Sequence, residues 1–393
     1  MNLLVLLPRV PYPLEKGDKL RAFYQIKELS KYHDIYLVAL QDGALHPEAL
    51  EKIEPYCKEI HIVRISLFSK LSGVIRAFFK GLPAQIGYFY SAKAKREIDQ
   101  LIHKIYPDHI YCFMIRMAEY VKKHKDCHTT LDYQDVLSMG MKRRSEKAPF
   151  WKKPIFMYEY QTLKRYEKNI FSCFTNKTII TSVDRDMIPH PQKQYIQVVP
   201  NGIDFEKFNY VKKEKKYDLI FAGNMSYPPN VDAALYIAKT LFPKLLNTFP
   251  HLKLCICGVA PAPALRALNS ENIHVTGWVS HIADYYAESK IFIAPMRLGT
   301  GLQNKLLEAM AMKLPSITSP LAGKPLEGAT HQQELLICNN TEEYVEAVST
   351  LLSDKKFYKT IAENGYQFVK THYDWEEIGK KLEEIMNEDV ING

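Results

Sequence analysis

The chain has 393 residues, 47% hydrophobic and 24% charged, with a net charge of +8. That is too long for one ordinary core, and it fits two α/β domains. The 12% aromatic fraction, led by 25 Tyr, excludes a disordered chain. Seven Cys, an odd and scattered set without a Cys-x-x-Cys pair, exclude a disulfide framework or a zinc site and point to reduced cytoplasm.

The charge is uneven. Residues 1–200 carry 32 Lys and Arg against 21 Asp and Glu, whereas residues 201–393 carry 20 against 23, so the basic surplus belongs wholly to the first half. Such asymmetry suits a domain that faces anionic lipid head groups, nucleic acid or a phosphorylated acceptor, and a plain solubility feature is the alternative. Nucleic acid is not expected as a partner, because no recognisable binding module accompanies the charge.

In chain order, an apolar run at residues 2–7 stops at Pro8 and lacks the leading cations of a signal peptide. Strands are predicted near residues 3–7, 35–40, 59–63, 109–113, 129–131, 178–181 and 196–199, with helices such as 19–31 and 156–171 between them. The alternation restarts with strands near 218–221, 252–257, 273–275, 291–294, 315–318 and 335–337. Two doubly wound parallel sheets follow, as domains 1–200 and 201–374, with residues 375–393 a final helix and tail packing back across them. No stretch approaches the roughly 20 apolar residues of a membrane span. Two such domains are expected to face each other across a cleft at the carboxyl ends of their strands, one substrate on each wall.

The most informative stretch is residues 294–315, which reads as a strand end, a glycine loop, a helix starting near Leu302 and the approach to another strand. Gly299 and Gly301 allow close backbone approach, and the helix start offers unpaired N–H groups to a pyrophosphate. Gly301, Lys305 and Glu308 fall at i, i+4 and i+7, which places the cation near the phosphates and Glu308 one turn deeper, where it can accept from the two hydroxyls of a ribose. A plain i,i+3 ion pair between Lys305 and Glu308 is the bland alternative.

This stretch resembles the donor-binding signature of the retaining glycosyltransferases of family 4, in a variant form: Gly-x-Gly, then Lys, then Leu-Glu-Ala-Met-Ala. Three further segments agree. Residues 198–204 (Val-Val-Pro-Asn-Gly-Ile-Asp) are similar to that family's Val-x-Pro-Asn-Gly-Val-Asp, Phe221-Ala-Gly-Asn224 to its phosphate-side turn, and residues 275–279 (Val-Thr-Gly-Trp-Val) to its base-binding strand. The resemblance implies the GT-B fold, a nucleotide-sugar donor with uridine and guanosine both open, and a donor site made of Gly223, Asn224, Val279, Gly299, Thr300, Gly301, Leu302, Lys305 and Glu308. More loosely, Leu7-Pro-Arg-Val-Pro-Tyr-Pro13 with Gly17-Asp-Lys-Leu-Arg21 looks like the first-strand loop of a bacterial exopolysaccharide-type subgroup, which implies that Gly17, Asp18 and Arg21 meet the acceptor; a simple loop glycine is the alternative for Gly17.

The departures carry information. The family often has two Glu eight positions apart, and Thr300 stands where the first would be. Its Arg and Lys after the phosphate-side turn are replaced by Asn224-Met-Ser-Tyr-Pro-Pro-Asn230, which leaves Arg297 and Lys305 as the cations for pyrophosphate. The matched region has no Asp-x-Asp pair and the chain no His-Glu-x-x-His, so no metal is required.

In the first half, Asp132 and Asp135 follow an apolar strand and compete for the role of acceptor base or of orienting a sugar hydroxyl; a helix N-cap is the alternative for either. Residues 66–81 mix bulky apolar side chains with Lys70, Arg76 and Lys80, and a second basic cluster surrounds Phe150 and Trp151. Both fit contact with the inner face of a cytoplasmic membrane, although a buried crossover helix and a solvated face explain them equally. The expected activity is sugar transfer to a glycan or polyprenyl-linked acceptor. The rivals are a nucleotide-sugar epimerase or phosphorylase of the same fold, and a degenerate nucleotide-binding scaffold.

Overall fold

The computed structural model describes residues 1–391 apart from Glu15 and Thr300; the side chains of Lys147 and of residues 388–391 also lie outside the description. The chain divides into two units, Met1–Pro200 with Ile378–Gly393, and Asn201–Glu377. The last helix, Trp375–Ile391, therefore starts in the second unit and continues in the first.

The first unit holds β1 (Asn2–Leu7), β2 (Asp34–Gln41), β3 (Glu59–Arg64), β4 (His109–Phe113), β5 (His128–Asp132), β6 (Asn176–Ile179) and β7 (Gln197–Val198), in the order β3-β2-β1-β4-β5-β6-β7. The second holds β8 (Tyr217–Ala222), β9 (Leu254–Cys257), β10 (Ile273–Val275), β11 (Ser289–Ala294), β12 (Ser316–Thr318) and β13 (Leu336–Ile337), in the order β10-β9-β8-β11-β12-β13. All pairings are parallel. Each predicted strand has an observed counterpart. The largest slip is at β6, where Thr181 leaves the sheet because its side chain accepts from the backbone N–H of Asp184 and caps the next helix.

Continuous apolar runs form these strands because both sheet faces are covered. Alternation sorts β1 into two cores. Leu3, Val5 and Leu7 pack with Ala22 and Ile26 of the helix Gly17–Leu29 and with Leu382 and Met386 of the last helix. Leu4 and Leu6 face the opposite way, in the core that includes Ile98 and Leu163. Leu382 and Met386 explain why the chain end belongs to the first unit, and the Asn176 amide adds a hydrogen bond to the Ile385 carbonyl at 2.8 Å.

In both sheets the strand order reverses between the first and fourth strands, β1/β4 and β8/β11. The loops leaving those strands are where a doubly wound sheet opens a crevice for a ligand.

Candidate active site

In the second unit, the loops after β8 and β11 bring the donor-motif residues together. Gly223 follows β8 with φ +153° and Gly258 follows β9 with φ +147°. A Cβ on Gly258 would stand 1.7 Å from the Gly223 carbonyl oxygen, so the two turns pack backbone on backbone and neither tolerates a side chain. The Thr276 hydroxyl fixes this arrangement by accepting from the Gly258 N–H at 3.1 Å. A Cβ on Gly223 would in turn meet the Asn230 amide at 2.8 Å and the Lys305 Nζ at 3.6 Å.

Lys305 is in the first turn of the helix Asn304–Ala311. Its ammonium donates to the Asn230 side-chain oxygen, lies 3.9 Å from the Met296 sulfur and sits 5.1 Å from the centre of the Phe221 ring. Asn230, itself buried, is held by donating to the Asn224 carbonyl at 2.9 Å. Among the described residues, no carboxylate lies within ion-pair distance of Lys305. Burial therefore dominates and pushes the ammonium down to about 8, against a smaller opposing pull from Glu308. Glu308 does not pair with it; its carboxylate accepts from the buried Tyr286 hydroxyl at 3.0 Å, and burial raises its pKa. The bland surface pair is thus not what this helix carries.

The rest of the motif differs in detail. The helix starts at Asn304 because Leu302 and Gln303 are still loop, Gln303 with φ −93° and ψ 94°. Gly301 is therefore not on the Lys305–Glu308 stripe; it and Gly299 turn the loop with φ +69° and +108°. Among the described residues, the N-cap Gln303 makes no side-chain cap to the helix, and Leu302 packs against the unit's core. Thr300 lies outside the described residues. Arg297 is held as a fork on Asp232, at 2.8 and 3.1 Å, over the Tyr236 ring, so its charge is already matched. Asn224 is exposed and accepts from the N–H and hydroxyl of Ser226. Val279 is half-buried beside the exposed Trp278.

The Pro-Asn-Gly-Ile-Asp segment has a packing role. A Cβ on Gly202 would stand 2.7 Å from the Trp375 ring, and the Ile203 N–H donates to the Tyr373 carbonyl at 2.7 Å. Asn201 donates to the Asn304 side chain at 3.2 Å and so braces the start of the Lys305 helix.

In the first unit, two expectations are corrected. Asp132, expected at the open cleft, and Arg21, expected to meet the acceptor, are both fully buried and paired with each other at 2.7 Å. The same Asp132 oxygen accepts from the Tyr111 hydroxyl at 2.9 Å and from the Gln25 amide at 3.3 Å, while Arg21 also donates to the Pro200 carbonyl at 3.1 Å. This closed network ties β5, the helix Gly17–Leu29 and the end of the unit together, and it leaves no face for a sugar. Gly17 merely starts that helix, with nothing within 4 Å of an added Cβ, and Asp18 pairs with Arg9 at 3.1 Å.

Asp135 behaves differently. Gln134 adopts φ +64°, its N–H donates to Asp132 and the Asp135 N–H donates to the Tyr133 carbonyl, a turn that aims Asp135 outward. Its side chain is reached by solvent, yet the protein packed around it, with Asp184, pushes its carboxyl up to about 6 against the pull of Arg116 and Arg143. Sequence reading missed a second feature nearby. Arg9, Lys16, Lys19 and Lys70 line one cavity of about 280 Å³, in which Asp42 is the one acidic lining residue among the described residues. Lys70 donates to Asp42 at 2.7 Å and to the Tyr88 hydroxyl at 3.0 Å. The only signal in the sequence was the basic surplus of the first half.

Comparison with known proteins agrees with the donor motif. Residues 216–354 match the family model described as Glycosyl transferases group 1. The chain is 23% identical over 202 residues, 48% of its length and 53% of the relative's, to the capsular polysaccharide biosynthesis glycosyltransferase CapM of Staphylococcus aureus. The chain is a glycosyltransferase. This glycosyltransferase is also 24% identical over 396 residues, 95% of its length and 96% of the relative's, to an uncharacterised 44.6 kDa protein in the cps region of Klebsiella pneumoniae. Its fold is GT-B. It superposes on Anabaena HepE, crystallised with UDP and glucose, with a TM-score of 0.70 at 14% identity over 98% of this chain and 99% of that one. For sucrose-phosphate synthase of Thermosynechococcus elongatus the TM-score is 0.67 at 12% identity, over 100% of both chains.

Among the described residues, no group of three or more His, Cys, Asp and Glu side chains is placed to hold a metal. No described helix is long and apolar enough to cross a membrane.

Proposed function

We propose that this glycosyltransferase is a retaining, family 4 enzyme that moves a hexose-type sugar from a UDP- or GDP-linked donor to a glycan or polyprenyl-linked acceptor at a membrane surface, in bacterial surface-polysaccharide assembly. The observation that carries the reading is the Lys305 ammonium, half-buried at the β8/β11 switch point beside two side-chain-free turns and matched by no carboxylate among the described residues. A diphosphate supplies the missing negative charge there. The turn at Gly223 leaves room for its oxygens, and the uncapped helix start at Asn304 directs N–H groups at them.

When the bond between the sugar's anomeric carbon and the phosphate oxygen breaks, negative charge grows on the departing nucleoside diphosphate. A preorganised ammonium in a poorly solvated site stabilises that charge more than the ground state, and this lowers the barrier without a metal. Glu308, steadied by Tyr286, accepts from the ribose hydroxyls. On the acceptor side, Asp135 titrates near 6 and is ionised at neutral pH, as a residue that takes or orients the proton of the acceptor hydroxyl must be. The cavity lined by Arg9, Lys16, Lys19 and Lys70 suits the phosphate groups of a lipid-linked acceptor. The relative in the cps region of Klebsiella pneumoniae and the capsular polysaccharide biosynthesis glycosyltransferase of Staphylococcus aureus support the setting, and the UDP and glucose of the HepE crystal support the donor class.

The test supplies UDP- and GDP-hexoses with a polyprenyl-diphosphate-linked sugar. The expected outcome is nucleoside diphosphate released in step with a glycosylated lipid whose new bond keeps the donor's anomeric configuration. An isomerised donor, or a sugar phosphate made with inorganic phosphate as acceptor, would replace this reading with an epimerase or a phosphorylase.

A further inference from the structure

The helix Leu67–Phe79 turns its apolar side to solvent. Leu67, Phe68, Leu71, Ile75, Phe78 and Phe79 are between 50 and 82% exposed. At 100° per residue these six positions fall within about 120° of arc, so they form one stripe about 20 Å long. The opposite side is the buried one. It carries Lys70, Gly73 and Ala77, and a Cβ on Gly73 would stand 2.1 Å from the Gly87 carbonyl oxygen. The helix is therefore seated by its small residues, and its bulky ones are left outside.

A second set of side chains continues this surface. Phe150 and Trp151, in the link between the helices Leu137–Lys147 and Lys153–Ile170, are 88 and 60% exposed, and Ile155 and Tyr158 of the second helix are also exposed. The Phe78 and Tyr158 rings lie 6.3 Å apart, centre to centre, which joins the two sets. Glu159 anchors the junction from beneath by accepting from the N–H groups of Ala84 and Gln85 at 2.8 and 2.9 Å. Ten bulky apolar side chains exposed together are far more than a chain leaves to water without a partner.

The charges say which partner. Residues 67–80 contain Lys70, Arg76 and Lys80 and no acid, and residues 150–158 contain Lys152 and Lys153 and no acid. Lys80, Lys152 and Lys153 are exposed and adjoin the apolar side chains in sequence, Lys80 just past Phe79 at the helix end and Lys152 with its ammonium 4.5 Å from the centre of the Trp151 ring, so that long stems can carry these charges to head-group phosphates. A second copy of the chain would set these cations against their own images. The helix is only 13 residues long, which suits lying in an interface rather than crossing it. Lys70, on its inner side, lines the basic cavity described above.

We propose that the helix Leu67–Phe79 and the Phe150–Tyr158 segment form a docking surface for an anionic membrane, into which the apolar stripe inserts while Lys80, Lys152 and Lys153 bind lipid phosphates. The proposal rests on the reading of a lipid-linked acceptor. Vesicle binding needs neither donor nor acceptor, so failure of either idea is read separately.

The test is cosedimentation of the full chain with vesicles of phosphatidylcholine, with and without phosphatidylglycerol. The wild type is expected to partition onto the anionic vesicles and to leave them as salt is raised. Phe68→Ser with Phe79→Ser, and separately Lys80→Glu with Lys152→Glu and Lys153→Glu, should each lower that partition by about a hundredfold. All five side chains are exposed, so the thermal midpoint should not move; if the Phe pair lowers it, Leu71→Ser with Ile75→Ser takes its place. Wild type left in the supernatant, or variants that partition like wild type, would overturn the proposal. So would a wild-type dimer that the Phe pair converts to monomer, which would assign the surface to a second copy.

Discussion

Two charged side chains lie inside the two units of this chain, and they differ in what surrounds them. Arg21 is fully buried with Asp132 at 2.7 Å, and Tyr111 and Gln25 complete the shell around that carboxylate. Lys305 is half-buried, and its ammonium has a neutral amide oxygen, a thioether and a ring for company. A charge taken out of water is tolerated when an opposite charge and hydrogen bonds replace the water, and is costly otherwise. The first arrangement matches charge with charge inside the unit and holds the fold. The second keeps a cost that, on the function proposed above, a bound diphosphate removes.

That contrast can be broken by substitution. Arg21→Ala would leave the Asp132 charge buried and unmatched, and should destabilise the protein by about 3–5 kcal/mol in urea unfolding, while the folded fraction binds nucleoside diphosphate as tightly as wild type. If Arg21→Ala instead spared stability and abolished transfer to the acceptor, the closed network would not be structural.

The next effect depends on pH. Lys305 titrates near 8 in the free protein, and an anion favours its charged form. Affinity for nucleoside diphosphate should therefore be flat below that value and fall by up to about tenfold per unit above it. Stability should run the other way. Between about 8 and the ordinary value of 10.5 the unfolded chain holds a proton that the folded chain lacks, so stability rises with pH through that window. Lys305→Met should remove both trends, and calorimetric titrations with pH-scanned unfolding would show it. The smallest effect is expected at Arg297. Its half-exposed charge is already matched by Asp232, so Arg297→Ala should cost less than about threefold in nucleotide affinity; a loss as large as that of Lys305 would restore it to the pyrophosphate site.

Much of this was legible in the sequence because the signals were local. The strands read well, since strands covered on both faces are written as unbroken apolar runs. The loop-then-helix order around Lys305 and Glu308 was legible because those residues are consecutive in the chain, although the helix starts at Asn304 and so leaves Gly301 off their stripe. What escaped depended on side-chain direction or on partners far along the chain. Asp132 and Asp135 are three residues apart at one strand end, and only the turn at Gln134 decides that the first points into the core and the second outward. Asn230 is 75 residues from the lysine it holds. Gly258, which lets the Gly223 turn close down, belongs to no motif that sequence reading singled out. The cavity cations come from three separate segments and meet only after folding.

Calorimetric titration of UDP and GDP into wild type, Lys305→Ala and Glu308→Ala tests the central claim most directly, because it probes the donor site without an acceptor. The account predicts that wild type binds one of the two nucleotides, that Lys305→Ala weakens it by about a hundredfold through the lost charge-assisted contact to the diphosphate, and that Glu308→Ala weakens it through the ribose. Wild type that binds neither nucleotide, or a Lys305→Ala protein that binds as tightly as wild type, would contradict it.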